Sequence, residues 1–267
     1  MARRAAVLGS PISHSRSPQL HLAAYRALGL TDWTYDRIEC TAEQLPALVG
    51  GFGPEWVGVS VTMPGKFAAL AFADERTARA ELVGSANTLV HTERGWRADN
   101  TDVDGVVGAL ASASVPVSGN AVVVGAGGTA PAALTGLVHA GAESVTIAAR
   151  NEERAAELID VAQRLGVVAR HCPLEHRALA EAVADASVVV STVPADVAAT
   201  HIDALRGAAA LLDVLYEPWP TPLAAAVAES GGTVVSGLQM LLHQAFAQVE
   251  QFTGRPAPRA EMAAALQ

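Results

Sequence analysis

The stretch Ala121-Val122-Val123-Val124-Gly125-Ala126-Gly127-Gly128-Thr129-Ala130-Pro131 decides the fold. A short run rich in β-branched residues breaks into three glycines and then into the helically spaced Pro131 to Gly141, so it reads as strand, turn and helix. Glycines at 125, 127 and 128 permit a tight turn and let a pyrophosphate approach the backbone, where the N-terminus of the next helix meets its charge. Ala130 is small where a third small residue is needed. Pro131 falls in the first turn, where its missing N–H costs nothing. Gly125, Ala126, Gly127, Gly128 and Thr129 are therefore candidate contacts to a dinucleotide. The bland alternative is a glycine-rich turn that holds no ligand.

The end of the next strand, Val145 to Ala149, sharpens this reading. An acidic residue there would bind the ribose 2′-hydroxyl of NAD. The sequence has Arg150 instead, with Asn151 after it and Arg154 one helical turn on. Arginine pairs with a 2′-phosphate and stacks on adenine, so the pattern predicts NADP rather than NAD. A helix from Glu152 to Leu165 follows. Apolar runs at Val167–Ala169, Ser187–Thr192, Ala210–Val214 and Thr233–Val235, with a helical Leu174–Ala184, extend the pattern to a doubly wound parallel sheet.

The first hundred residues read differently, with AAVLG, WTYDRIE, WVGVSVT and NTLVHT as strands and helices near Pro18–Leu28 and Ala42–Val49. Thr41 and Gln44 have capping-box spacing for the second helix. After Gly237, LQMLLHQAFAQVEQF has apolar residues at helical spacing up to Gly254. The expected organisation is α/β throughout: a separate N-terminal α/β domain over residues 1–103, a Rossmann-type domain over 104–236, and C-terminal helices over 237–267 that return to the first domain. A chain of 267 residues suits this, because single cores stop growing near ~250 residues.

Composition narrows the function classes. The chain is 51% hydrophobic and 17% charged, and Gly105 to Ala142 holds no Asp, Glu, Lys or Arg. Pro116, Gly119, the glycine cluster and Pro131 interrupt that stretch, whereas a membrane span needs ~20 continuous apolar residues. Met1 to Gly9 carries two arginines and runs straight into polar Ser10 to Ser17, so no secretory segment is expected and the protein is expected in the cytoplasm. Cys40 and Cys172 form no CxxC pair, which fits a reducing compartment. His171, Cys172, Glu175 and His176 match no recognised zinc spacing, and no metal is expected. A net charge of -9 argues against nucleic acid, since duplex binding needs clustered Lys and Arg. An anionic ligand must be held by a local site.

Seventeen arginines stand against one lysine, Lys66. A guanidinium cannot exchange protons near neutrality, whereas an ammonium can be tuned to do so, which marks Lys66 for chemistry. The alternative is a single surface lysine left by biased codon usage. Gly58-Val59-Ser60-Val61-Thr62-Met63-Pro64-Gly65-Lys66 sets it in a Pro-Gly loop past a strand, where function concentrates. Asp99-Asn100-Thr101-Asp102 is a second polar cluster at a helix start, with helix capping as its bland reading.

Together these segments resemble the shikimate dehydrogenase family over nearly the whole chain. The resemblance rests on Gly9-Ser10-Pro11-Ile12-Ser13-His14-Ser15-Arg16-Ser17-Pro18, Val61 to Lys66, Ala86-Asn87-Thr88 and Asn100-Thr101-Asp102. It continues through Tyr216 with Pro218, Thr221, Pro222 and Leu223, then Gly237 to Leu241 and Gln244. It implies that Ser15 and Ser17 hold a substrate carboxylate with Tyr216 nearby, and that Thr62, Asn87, Asp102 and Gln244 contact ring hydroxyls. Lys66 and Asp102 become the catalytic pair, and Thr192, Val214, Gly237 and Met240 join the NADP contacts. Ser60 stands where the family commonly has asparagine, Leu22 follows His21 where asparagine is usual, and Ala149 precedes Arg150 where asparagine is frequent.

The activity implied is reversible NADPH-dependent reduction of 3-dehydroshikimate to shikimate, in the route to chorismate and the aromatic amino acids. Lys66 would protonate the developing alkoxide, Asp102 would orient it, and closure of a cleft between the domains would exclude water. A dual-specificity quinate/shikimate dehydrogenase is the nearest rival, and Arg150 opposes its usual NAD preference. A non-catalytic NADP-dependent sensor is opposed by Lys66 and Asp102, and a methylenetetrahydrofolate dehydrogenase leaves the Ser15 and Ser17 loop without a counterpart. The partners expected are small molecules rather than nucleic acid or membrane, and a homodimer is compatible with the resemblance.

Overall fold

The computed structural model describes residues 2–266. Met1 and Gln267, the outer ends of the first and third expected segments, lie outside the described residues. The chain divides into two compact units, Met1–Thr101 with Leu242–Gln267 and Asp102–Leu241.

The first unit runs β1 (Arg3–Gly9), α1 (Ser17–Ala27), β2 (Trp33–Glu39), α2 (Leu45–Gly50), β3 (Trp56–Val61), α3 (Lys66–Phe72), β4 (Glu75–Arg76), α4 (Ala78–Val83), β5 (Thr88–Thr92) and β6 (Gly95–Asp99). Its six-stranded sheet has the order β2-β1-β3-β5-β6-β4. β1 pairs in parallel with β2 and β3, whereas β5 runs antiparallel to both β3 and β6. This mixed pairing brings the start of β5 and the end of β6 beside the end of β3, with Ser60 opposite Thr88 and Thr88 opposite Asp99. Leu8, Leu45, Val59, Val61, Ala69 and Leu89 build one core against α2 and α3, each large side chain contributing ~1.5–3 kcal/mol of transfer free energy.

The second unit begins with α5 (Asp102–Ser112). It continues as β7 (Asn120–Val124), α6 (Ala130–Ala140), β8 (Ser144–Ala148), α7 (Glu152–Arg164), β9 (Val168–Cys172), α8 (His176–Ala184), β10 (Ala186–Ser191), α9 (Ala195–Ala199), α10 (Ile202–Leu205), β11 (Ala210–Asp213), α11 (Pro222–Glu229) and β12 (Thr233–Ser236). The sheet is wholly parallel in the order β12-β11-β10-β7-β8-β9, a doubly wound arrangement whose order reverses at β7. Ligands bind outside the strand ends at such a reversal. The uncharged stretch Gly105 to Ala142 is divided among α5, β7 and α6, and no helix among the described residues is long and apolar enough to cross a membrane. A Cβ on Gly136 of α6 would lie 2.7 Å from Val106 of α5, so glycine is what lets these helices touch.

α12 (Gly237–Thr253) starts in the second unit and continues in the first, which α13 (Arg259–Ala264) completes. Phe252 of α12 lies against β3 where Gly58 has no side chain, since a Cβ there would stand 2.2 Å from the ring.

Three local expectations need correction. The helix expected at Ala42–Val49 begins at Leu45, because Pro46 sits in its first turn and Gln44 uses its side chain to accept from Thr41 N at 2.9 Å. Lys66 is not in a loop but opens α3, since Gly65 closes a turn on Thr62 O at 2.9 Å and Ala69 N continues the helix by donating to Gly65 O. The expected strand Val167–Ala169 runs instead from Val168 to Cys172, paired along β8.

Candidate active site

In the first unit the candidates gather where β1 and β3 end. Ser15 and Ser17 follow β1 and enter α1. Ser17 N donates to Ser15 Oγ at 3.3 Å, and Arg37 of β2 holds the loop by donating Nε and Nη2 to Ser15 O at 2.9 and 2.6 Å. Thr62 follows β3, and its Cγ2 would lie 2.4 Å from a Cβ on Gly9, so the two loops touch only because residue 9 is glycine. Half-buried Lys66 accepts on its backbone oxygen from Ala86 N at 3.0 Å, which ties its helix to the segment carrying Asn87.

Asn87, Thr101 and Gln244 form a buried polar knot. Asn87 Nδ2 donates to Gln244 Oε1 at 2.9 Å and to Thr101 Oγ1 at 3.0 Å, while Asn87 Oδ1 accepts from Thr101 N and Thr88 Oγ1, both at 2.8 Å. Beneath it, Tyr35 donates to Ser60 at 2.6 Å and Ser60 to Gln248 at 2.8 Å. His21 stacks on Tyr35 at 4.0 Å between ring centroids. Burial drives the His21 imidazole down to about 3 against an opposing hydrogen bond to Gln248, so the ring is neutral at pH 7. Burial also raises the Tyr35 phenol, although hydrogen bonds with Ser60 and Ser17 pull the other way.

Asp99 ends β6 with its carboxylate enclosed by Arg79, Thr77, Gln251 and its neighbour's backbone N–H. Burial raises its carboxyl, but the Arg79 guanidinium and these donors outweigh that and leave it below the ordinary range. It fixes the start of Asn100-Thr101-Asp102. Asp102 itself opens α5 and is buried, while half-buried Tyr216 lies beyond β11; both belong to the second unit.

In the second unit the glycine turn stands at the end of β7, the strand where the order reverses. Gly125 has φ +107° and leaves no room for a side chain, with a would-be Cβ 2.6 Å from Thr192 Oγ1. Thr192 is held there by donating to Val124 O at 2.9 Å. A Cβ on Gly127 would meet nothing within 4 Å, so the turn presents backbone to open space ahead of α6, with Gly128 and Thr129 completing it. These features fit a dinucleotide pyrophosphate. Arg150 and Arg154 are exposed past β8, and Asn151 accepts from Arg154 N at 2.9 Å, making it the N-cap of α7. Val214 and Gly237 meet at the ends of β11 and β12, where a Cβ on Gly237 would be 2.2 Å from Val214 O; buried Met240 lies one turn further along α12. Asp213 braces this region by accepting from Thr221 Oγ1 at 2.6 Å and Leu215 N at 3.1 Å, with burial raising its carboxyl. Among the described residues no group of three His, Cys, Asp or Glu could hold a metal ion.

Sequence reasoning overlooked Tyr35, Arg37, Arg79 and Gln248. The available signal was spacing: Gln248 follows Gln244 by one helical turn and shares its face with apolar residues.

Comparison with known proteins agrees along the chain. Residues 7–89 match the shikimate dehydrogenase substrate binding domain, residues 109–210 the shikimate / quinate 5-dehydrogenase family, and residues 237–267 the shikimate 5'-dehydrogenase C-terminal domain. The shikimate dehydrogenase (NADP(+)) of Acidiphilium cryptum is 39% identical over 251 residues, 91% of this chain and 88% of that protein. The crystal structure of Mycobacterium tuberculosis shikimate dehydrogenase superposes with a TM-score of 0.95 at 66% identity, covering 99% of this chain and 98% of the other. Shikimate 5-dehydrogenase from Thermus thermophilus, in complex with NADP(H) and shikimate, gives a TM-score of 0.83 at 30% identity with 98% of each chain covered. A substrate-binding signature, a glycine turn and a C-terminal helix matched in one order over nearly the whole length leave one assignment: the chain belongs to the shikimate dehydrogenase family.

Proposed function

We propose that this chain is an NADP-dependent shikimate dehydrogenase that reversibly reduces 3-dehydroshikimate to shikimate on the route to chorismate and the aromatic amino acids. The observation that carries the reading is the buried Asn87–Thr101–Gln244 knot at the sheet end that also bears Ser17, Thr62 and Lys66. Neutral hydroxyl and amide groups of this kind bind a carboxylated polyol without fixing an unpaired charge. Residues 1–103 serve as the substrate domain, 104–236 hold NADP, and 237–267 return the chain to the first domain. The two free cysteines fit a reducing, cytoplasmic setting.

NADPH, when bound, supplies the hydride that reaches the ring carbonyl carbon. Lys66, protonated, neutralises the negative charge growing on the carbonyl oxygen and gives up its proton to it, so one hydride and one proton make the alcohol. Asp102 orients the ammonium and a substrate hydroxyl. Ser15 and Ser17 hold the carboxylate with Tyr216 nearby, and Thr62, Asn87 and Gln244 hold ring hydroxyls. The glycine turn takes the pyrophosphate, Arg150 and Arg154 the 2′-phosphate, and Thr192, Val214, Gly237 and Met240 the remaining contacts. Consumption of NADPH on addition of 3-dehydroshikimate tests the assignment. Turnover is expected, with shikimate oxidised by NADP much faster than quinate, because a site built to pair given hydroxyls discriminates by up to ~10⁴. No NADPH consumption, or equal rates with quinate, would contradict it.

A further inference from the structure

Gln248 is 1% exposed on α12 and donates its amide nitrogen to two groups, Thr88 Oγ1 at 2.9 Å and Asn87 O at 3.3 Å. A backbone carbonyl can only accept, so the nitrogen must face that side and Oε1 the other. There Oε1 accepts from Ser60 Oγ, which itself accepts from Tyr35, and faces His21 Nε2 at 3.3 Å. Thr88, having accepted from Gln248, donates onward to Asn87 Oδ1 at 2.8 Å.

A second backbone group pins the far end. Thr101 N–H can only donate, and it donates to Asn87 Oδ1 at 2.8 Å, so Asn87 must turn its nitrogen toward Gln244. Donors therefore run one way, from Tyr35 through Ser60, Gln248, Thr88 and Asn87 to Gln244 Oε1. The carbonyl of Gln244 is taken up by Asn87, and among the described residues no hydrogen bond takes up Gln244 Nε2. What Gln244 keeps for a ligand is a pair of N–H donors, matched to an oxygen that accepts.

We propose that Gln248 is a positioning residue for substrate binding: by fixing Thr88 as a donor to Asn87 Oδ1 and holding the Asn87 backbone carbonyl, it backs the orientation that Thr101 N–H also imposes on Asn87, the one that leaves Gln244 presenting N–H groups to an accepting oxygen of the substrate. The proposal rests on the shikimate dehydrogenase reading and deepens it. Gln248 touches neither reactant in this account and acts through Asn87. Its side chain is joined to this network at four points, so buried polar order rather than bulk is what its loss removes.

The test is steady-state kinetics of shikimate oxidation with Gln248→Met, which keeps length and removes both donor and acceptor, beside Thr88→Val, Ser60→Ala and Tyr35→Phe. Gln248→Met and Thr88→Val are expected to raise KM for shikimate about tenfold, the worth of one to two net hydrogen bonds. KM for NADP should stay within about twofold. Ser60→Ala and Tyr35→Phe, further from Asn87, should raise it about two- to threefold. A merely structural residue would lower the melting temperature and leave KM for shikimate unchanged in the folded fraction; that result overturns the proposal. If Gln248→Met fails to fold, as judged by circular dichroism, the other three decide, and unchanged shikimate constants in all of them overturn it too. An unmodified protein that turns over no shikimate overturns the functional reading itself, whereas normal turnover with unmoved variants overturns only the role of Gln248.

Discussion

Ser60, Asn87 and Gln248 are buried and linked by hydrogen bonds through Gln248, whereas Gly127 faces open space and Arg150 and Arg154 are exposed. On the proposed function the first unit would meet the substrate with neutral groups whose donor directions are set in advance, and so select by pattern. The second offers backbone N–H groups, a helix N-terminus and exposed cations, and on the same reading would select by charge. The difference predicts which ligand each substitution touches. A change among the buried groups alters hydroxyl recognition through neighbours, while a change at an exposed arginine alters one phosphate contact and little else.

The largest expected effect lies between these styles, at the single lysine. Lys66→Arg keeps the charge and removes the exchangeable amine, so turnover should fall ~100-fold or more with a smaller change in substrate affinity. Near-normal turnover would remove Lys66 from the chemistry. Next comes Arg150→Asp, which deletes a phosphate partner and adds a like charge. NADPH should weaken by about one to two decades, the ~1.5–3 kcal/mol typical of a charge-assisted contact, while NADH changes far less. Equal losses for both would show that Arg150 does not discriminate.

A third effect concerns stability in the buried region rather than turnover or affinity. The His21 imidazole is driven from 6.5 to about 3 by burial, so the unfolded chain binds a proton more readily than the folded one. Stability from this group is complete above about pH 6.5 and is lost as pH falls toward 3, at on the order of 1 kcal/mol per pH unit. Melting temperature should therefore fall more steeply across that window in the unmodified protein than in His21→Gln, where nothing titrates. Parallel curves would mean that His21 is not held neutral.

The two regions also differ in how far the sequence disclosed them. The second unit follows one rule repeated, an apolar strand and then an amphipathic helix, so its parallel sheet and glycine turn can be read from Ala121 onward. In the first unit β5 and β6 form a hairpin, yet only β5 was expected. Gly95-Trp96-Arg97-Ala98-Asp99 places Arg97 in a strand, and β4 has just two residues, too few for a period to register. Lys66 was identified by its rarity, but its place at the head of α3 depends on a turn that Pro64 and Gly65 alone do not dictate. Asp99 read as part of a polar cluster at a helix start, whereas its partner Arg79 lies twenty residues back. Tyr35 carries no local signal of its role, and the spacing that sets Gln248 one turn after Gln244 does not say what it binds, because a directed hydrogen-bond chain is assembled from β2, β3, β5 and α12 and exists only once the sheet has brought them together.

The claim that the two regions act on separate ligands is tested most directly by measuring both Michaelis constants in two variants side by side. Ser15→Ala with Ser17→Ala should raise the constant for shikimate and leave that for NADP almost unchanged, and Arg150→Asp should do the reverse. Both constants moving together in either variant would contradict the account.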